Sequence, residues 1–203
     1  AGLQAYHGRA QHVRGPTERA DVIAQAAEGV RQALAALARV GVACPLVTGA
    51  GTGSFALEAA SGLWGELQAG SYVFMDRDYA DNTPLAQAPA FEHALFVKSQ
   101  VISQADDRAV VDAGHKSHAI DSGLPIVWGR SDLEFFNGGD EHGVLRRRNA
   151  AAVLPGLGHT VWLVPGHCDP TVNLHDSLVG VRGGLDHGIV ERLIKVDARG
   201  CLR

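Results

Sequence analysis

The sequence predicts an α/β region followed by a mainly β domain, and three observations carry that reading. Over roughly the first 80 residues, short apolar strands alternate with an amphipathic helix; from Gly70 onward, strand-like runs follow one another; and a loop carrying Pro84 and Pro89 stands between the two regimes. Strand–helix–strand alternation builds parallel sheets, whereas consecutive strands build antiparallel ones. The expected division is residues 1–80 and residues 81–203, with the first region free to reclaim some C-terminal residues.

Ala1 to Arg14 reads as an apolar-led strand entering a loop with Tyr6, His7, Gln11 and His12. Thr17 is placed to cap the next helix, where Ile23, Ala27, Val30, Leu34 and Leu37 recur at three- and four-residue steps and Gly41 stands past the end. That helix serves packing and is assigned no chemistry. Ala43 to Thr48 reads as a short strand, and Gly49-Ala50-Gly51-Thr52-Gly53-Ser54 follows it, leading into a short helix from Phe55. Glycines let a backbone approach an anion, and Thr48, Thr52 and Ser54 add hydroxyl donors, so this turn is a candidate phosphate cradle. It is neither a Walker loop nor a dinucleotide fingerprint, whose third glycine falls one residue later. Ser71 to Asp76, Ala94 to Ser103 and Ala109 to Asp112 read as strands, and Leu178 to Arg182 pairs with Ile189 to Asp197 across a glycine-bearing loop.

A net charge of -4 with pI near 6.2 excludes a nucleic-acid or membrane-surface role and leaves small molecules as the expected partners. Cys44, Cys168 and Cys201 make no disulfide framework, and no apolar run is long enough to span a bilayer, which together predict a cytoplasmic protein. Met75 is the only methionine and the chain opens directly on a strand, as a fragment or processed product would.

The densest chemistry lies in Pro165-Gly166-His167-Cys168-Asp169-Pro170-Thr171-Val172-Asn173-Leu174-His175-Asp176, behind the apolar run His159 to Val164. An extended chain would send His167 and Asp169 to the same side, where imidazole and carboxylate can grip one divalent metal. Two protein ligands leave coordination positions open for water or substrate, as catalytic metals require. Asp112, His115, Lys116 and His118 read as a solvated loop and not as a second metal site.

With its apolar lead-in, the segment PGHCDPTVNLHD resembles the metal-binding signature of D-threonine aldolases and the related D-serine dehydratases. The resemblance runs from Tyr6 through Arg199 and is strongest at residues 2–12, 46–76 and 161–182. It implies the C-terminal part of an alanine-racemase-like (β/α)8 barrel followed by a mainly β D-serine-dehydratase-like domain. It also implies pyridoxal 5'-phosphate as cofactor, with Tyr6 near its ring and Thr48, Gly51, Thr52, Gly53 and Ser54 around its phosphate. His12 would stand beside the substrate hydroxyl as a base. The divider in that group is His-x-Asp in the aldolases against His-x-Cys in the zinc dehydratases, and here it reads His167-x-Asp169. Retro-aldol cleavage of D-threonine and other β-hydroxy-D-amino acids is therefore the implied reaction, with Mn2+ the implied metal and Mg2+, Co2+ or Zn2+ as alternatives. Deamination of the D-serine dehydratase type is the alternative, and a homodimer is the implied assembly. The family's Schiff-base lysine has no counterpart among Lys98, Lys116 and Lys195, so an incomplete or inactive fragment is the third reading.

Overall fold

The computed structural model describes residues 2–86 and 88–201, which form two compact units dividing between Ala94 and Leu95. That division lies later than the 80/81 boundary suggested by the proline loop. The loop folds back onto the first unit: Ala94 N–H donates to the Phe74 carbonyl at 2.7 Å, and the Phe91 ring packs on Tyr72 and Phe55.

In the first unit β1 (Leu3–Ala5) runs through a 3-10 turn, Gly8–His12, to α1 (Pro16–Arg39), β2 (Val47–Gly49), α2 (Phe55–Ser61) and β3 (Glu66–Leu67). A second 3-10 turn, Ser71–Val73, leads to α3 (Arg77–Ala80). The three strands pair in parallel in the order β1-β2-β3, as strand–helix–strand succession requires. The predicted stripe on α1 is the packed one: Ala27 and Val30 join Val47 and Trp64 in a core cluster against which Leu3, Ala5 and Leu34 pack. Gly41, at φ 73°, turns the chain beyond the helix in a backbone region that favours glycine.

Two expectations are corrected here. Thr17 is not the cap; Gly15 occupies that position and Pro16 opens the helix, where a missing N–H costs nothing. Ser71 to Asp76 is not a strand either. The Tyr72 N–H is taken by the Thr52 hydroxyl at 3.0 Å, the Ser71 carbonyl accepts from Phe74 and Met75, and Met75 sits at φ 50°. An edge whose N–H groups are spent on local turns has nothing left for a ladder.

The second unit is mainly β, as expected. It comprises β4 (Val97–Gln104), β5 (Ala109–Val111), β6 (Ile126–Val127), β7 (Leu133–Asn137), β8 (Gly143–Arg147), β9 (Thr160–Val164), α4 (Cys168–Val172), β10 (Ser177–Arg182) and β11 (Ile189–Lys195). Six strands form an antiparallel sheet in the order β6-β9-β4-β5-β8-β7, and β6 also lies beside β7, so the sheet is nearly closed. Inward positions alternate along the strands, and Val101, Val111, Leu133, Phe135, Leu145 and Leu163 fill the interior. β10 and β11 make the predicted antiparallel hairpin, with a bulge at Gly180/Val181.

Candidate functional site

In the first unit the glycine-rich turn leaves β2 through Ala50, which is fully buried at φ 67°, a left-handed conformation that a non-glycine residue adopts only when its surroundings enforce it. Gly51 is dictated by space: a Cβ there would stand 2.5 Å from Gln11 Oε1 and 2.7 Å from the Tyr6 hydroxyl oxygen. Tyr6, Gln11 and Gly51 therefore converge at the turn.

The hydroxyls predicted to face an anion have unequal freedom. Thr48 Oγ1 donates to Glu66 Oε1 at 2.6 Å, and Ser54 Oγ donates to Glu58 Oε1 at 2.8 Å while accepting from Gln11 Nε2 at 2.7 Å. Thr52 Oγ1 accepts from the Tyr72 N–H and so keeps its own proton to donate. Gln11, which the sequence marked only as a loop residue, closes the network. Its Oε1 accepts from the Gly53 N–H at 2.9 Å, and its backbone carbonyl accepts from Asn82 Nδ2 at 2.8 Å. Glu58 ends the chain of bonds, nearly fully buried, with Oε2 lacking a hydrogen-bond partner. Burial raises its pKa above the ordinary carboxylate value, more than the Ser54 hydrogen bond lowers it. A cavity of about 230 Å³ borders the turn, with Thr52, Gly53, Ser54, Phe55, Met75 and Phe91 among its lining.

His12 ends the first 3-10 turn, half exposed, with Nδ1 2.7 Å from Asp78 Oδ2 and its ring stacked on Tyr79 at 6.2 Å. Arg14 holds the other side of Asp78: Nη2 donates to Oδ1, and Nη1 donates to the Asp78 carbonyl and to Asn82 Oδ1. The buried Arg19 guanidinium donates to the carbonyls of Val13 and Thr83, the latter at 2.8 Å, and so fixes the backbone just beyond His12.

In the second unit His167 and Asp169 come together by a route other than the one expected. His167 is extended at φ -140°, ψ 136°, but it is the N-cap of α4, and Asp169 lies in that helix's first turn. Pro170 does not break so short a helix, because a first-turn N–H has no intrahelical acceptor to lose. His167 Nε2 nonetheless stands 3.7 Å from Asp169 Oδ2, with the imidazole 17% and the carboxylate 69% exposed. Two ligands each about 2.1 Å from one ion at the tetrahedral angle stand roughly 3.4 Å apart, so the pair fits a shared metal. Thr171 anchors it: its buried hydroxyl donates to the His167 carbonyl at 2.7 Å and accepts from the Ala119 N–H at 3.1 Å. Gly166 is obligatory, since a Cβ there would stand 2.0 Å from the Gly123 carbonyl oxygen.

The loop of Asp112, His115, Lys116 and His118 divides. His115 pairs with Asp140 at 3.0 Å and Lys116 with Glu141 at 3.1 Å on the surface, while Asp112 accepts from Ser99 and Gln100. His118, by contrast, is fully buried against the edge of Phe135, and burial lowers its pKa.

Residues 94–181 match the family model described as "Putative serine dehydratase domain". The chain is 48% identical over 207 aligned residues to the D-threonine aldolase of Arthrobacter sp, covering 100% of this chain and 52% of that protein. Along its length this chain is thus similar to D-threonine aldolases, and its second unit carries the serine-dehydratase-like domain. A 3-hydroxy-D-aspartate aldolase of Paracoccus denitrificans is 43% identical across 98% of this chain and 51% of its own length. The crystal structure of D-threonine aldolase from Filomicrobium marinum superposes with a TM-score of 0.92 at 50% identity, covering 100% of this chain and 54% of that one. An alanine-racemase-like protein of Idiomarina loihiensis shares the fold at a TM-score of 0.71 and 19% identity, over 88% of this chain and 52% of the other. The fold expectation therefore holds: part of an alanine-racemase-like barrel, then a D-serine-dehydratase-like β domain. The chain spans about half the length of the curated relatives it matches. Among the described residues, no helix is long and apolar enough to cross a membrane.

Both groups on which the family's chemistry depends can be tested against these residues. The turn at Gly51–Ser54, with two glycines crowded by Gln11 and the Thr52 hydroxyl proton uncommitted, fits the phosphate of pyridoxal 5'-phosphate. Imidazole beside carboxylate fits a divalent metal harder than one a thiolate site selects.

Proposed function

We propose that the protein carrying this chain is a pyridoxal-phosphate- and divalent-metal-dependent lyase that cleaves β-hydroxy-D-amino acids, D-threonine to glycine and acetaldehyde among them. The observation that supports the reading is the meeting of His167 Nε2 and Asp169 Oδ2, a pair at the His-x-Asp spacing that the resemblance assigns to aldolases. Thr52 and the Gly51–Gly53 backbone hold the cofactor phosphate, Tyr6 packs near the cofactor ring, and His167 with Asp169 holds the metal, Mn2+ being the ion suited to that pair. Pyridoxal phosphate, when bound, supplies an electron sink at Cα, and the metal supplies a Lewis acid at the β-hydroxyl.

His12 has a free ring edge and acts as the base. It takes the β-hydroxyl proton; the O–H electron pair becomes the carbonyl bond of the departing aldehyde; the Cα–Cβ pair stays at Cα, which is then reprotonated to give glycine. A cytoplasmic location fits the absence of any disulfide among Cys44, Cys168 and Cys201, and a homodimer is the assembly implied by the family resemblance.

The serine-dehydratase description of residues 94–181 favours a second reading, in which the α-proton leaves and hydroxide departs from Cβ. Product analysis separates the two: glycine with an aldehyde, or an oxo acid with ammonia. In the full-length enzyme, His167→Ala and Asp169→Ala are each expected to lower metal content by mass spectrometry and to abolish D-threonine cleavage while the cofactor absorbance persists. Undiminished turnover in the presence of a chelator would sink the metal assignment.

A further inference from the structure

Asp78 has no role in the reaction as described so far, yet its environment admits few alternatives. The carboxylate is 4% exposed and stands in the first turn of α3, a segment held by Asp76, whose Oδ1 accepts from the Tyr79 N–H at 2.9 Å. Oδ1 receives Arg14 Nη2, and arginine can only donate. Oδ2 is buried with its hydrogen-bonding capacity unfilled, and among the described residues His12 Nδ1 is the polar atom beside it, at 2.7 Å. A buried carboxylate oxygen beside an imidazole nitrogen requires a proton between them. That proton belongs to Nδ1, so the lone pair of the neutral ring lies on Nε2, on a side chain 47% open to solvent.

We propose that Asp78 is the positioning residue for His12, holding the imidazole in the Nδ1–H tautomer with Nε2 as the basic atom, and that Arg14 enforces this by claiming the other carboxylate oxygen. The proposal rests on the reading of His12 as the base and concerns only this chain's residues. The logic is that of a carboxylate–histidine pair in which the acid orients the base without itself taking the proton.

Arg14 makes the test specific. In Asp78→Asn the amide must turn its oxygen toward the donor-only Arg14, which leaves its NH2 facing His12 Nδ1. The ring proton then moves to Nε2, and the basic atom is turned away from the substrate. In the full-length enzyme labelled with 15N-histidine, long-range proton–nitrogen spectra of the neutral ring should show Nδ1–H in the wild type and Nε2–H in Asp78→Asn. Cleavage of D-threonine should fall about 10²- to 10⁴-fold in kcat, the range of general-base contributions, with KM little changed. Adding Arg14→Met to Asp78→Asn frees the amide to rotate, so the Nδ1–H signature and part of kcat should return, which a merely structural role would not produce. A wild-type ring carrying its proton on Nε2 would overturn the proposal without any variant. So would an Asp78→Asn enzyme with unchanged tautomer and turnover while His12→Gln is inert. Full turnover in His12→Gln would instead remove the base reading itself and leave the tautomer measurement standing.

Discussion

Glu58 carries a charge problem that its neighbours only half solve. Ser54 donates to one oxygen, the other has no hydrogen-bond partner, and burial raises the pKa above its ordinary 4.5. Because the folded value exceeds the unfolded one, the folded protein retains a proton that the unfolded chain releases. Stability from this group is therefore whole below about pH 4.5 and is lost as pH rises through the folded value. Glu58→Gln keeps an acceptor for Ser54 and removes the titration. The melting temperature of this variant relative to wild type is expected to climb as the pH is raised from 4.5 toward 8, and a difference that stays constant across that range would refute the assignment. Little of this was legible in the sequence. A lone glutamate in a short helix reads as surface, and Gln11, which reaches it only through Ser54, lies on a separate segment that no periodicity links to it. The glycines of the turn were legible, because crowding against Gln11 and Tyr6 leaves no other residue room at position 51.

Elements were legible where apolar spacing alone decides them. The stripe of α1 and the β10–β11 hairpin formed as their patterns predict, since each depends on one period and one turn. Ser71–Asp76 misled because an apolar run cannot reveal that Thr52 will take the Tyr72 N–H. α4 was hidden because the segment reads as extended through His167 and Asp169, whereas Pro170 is harmless in a first helical turn. The position of the metal pair thus depends on an element the sequence concealed, and Thr171 is its anchor. Thr171→Val preserves the shape and removes both side-chain bonds, leaving the buried Ala119 N–H without the hydroxyl it donates to. A stability loss of about 1–3 kcal/mol is expected for stranding such a buried group. Metal affinity of the full-length enzyme should fall as well, because His167 loses the backbone restraint that aims it. Wild-type metal binding, measured by competition with a chromophoric chelator, would show that α4 is held by other means.

At the scale of the whole molecule, apolar surface and open strand edges set the behaviour of the 203-residue chain when it is produced alone. β1 and β3 are both edges of a three-stranded parallel sheet, an arrangement that natural proteins cover or extend. The β10–β11 hairpin adds a second liability, with Val179, Ile189, Val190 and Leu193 each more than half exposed. The chain is therefore expected to self-associate, whereas the full-length protein, about twice as long in the relatives, should not do so through these surfaces. Sedimentation velocity at tens of micromolar tests this, and a monodisperse monomer with one cooperative melt would count against it. Ile189→Lys with Leu193→Lys separates the two causes. Charge on β11 suppresses association through the hairpin, by its apolar face or its own edge, and leaves pairing through the β1 and β3 edges untouched, because those strands keep their backbone groups unaltered. Association that persists in the double variant assigns the effect to the β1 and β3 edges, and its loss assigns it to the hairpin.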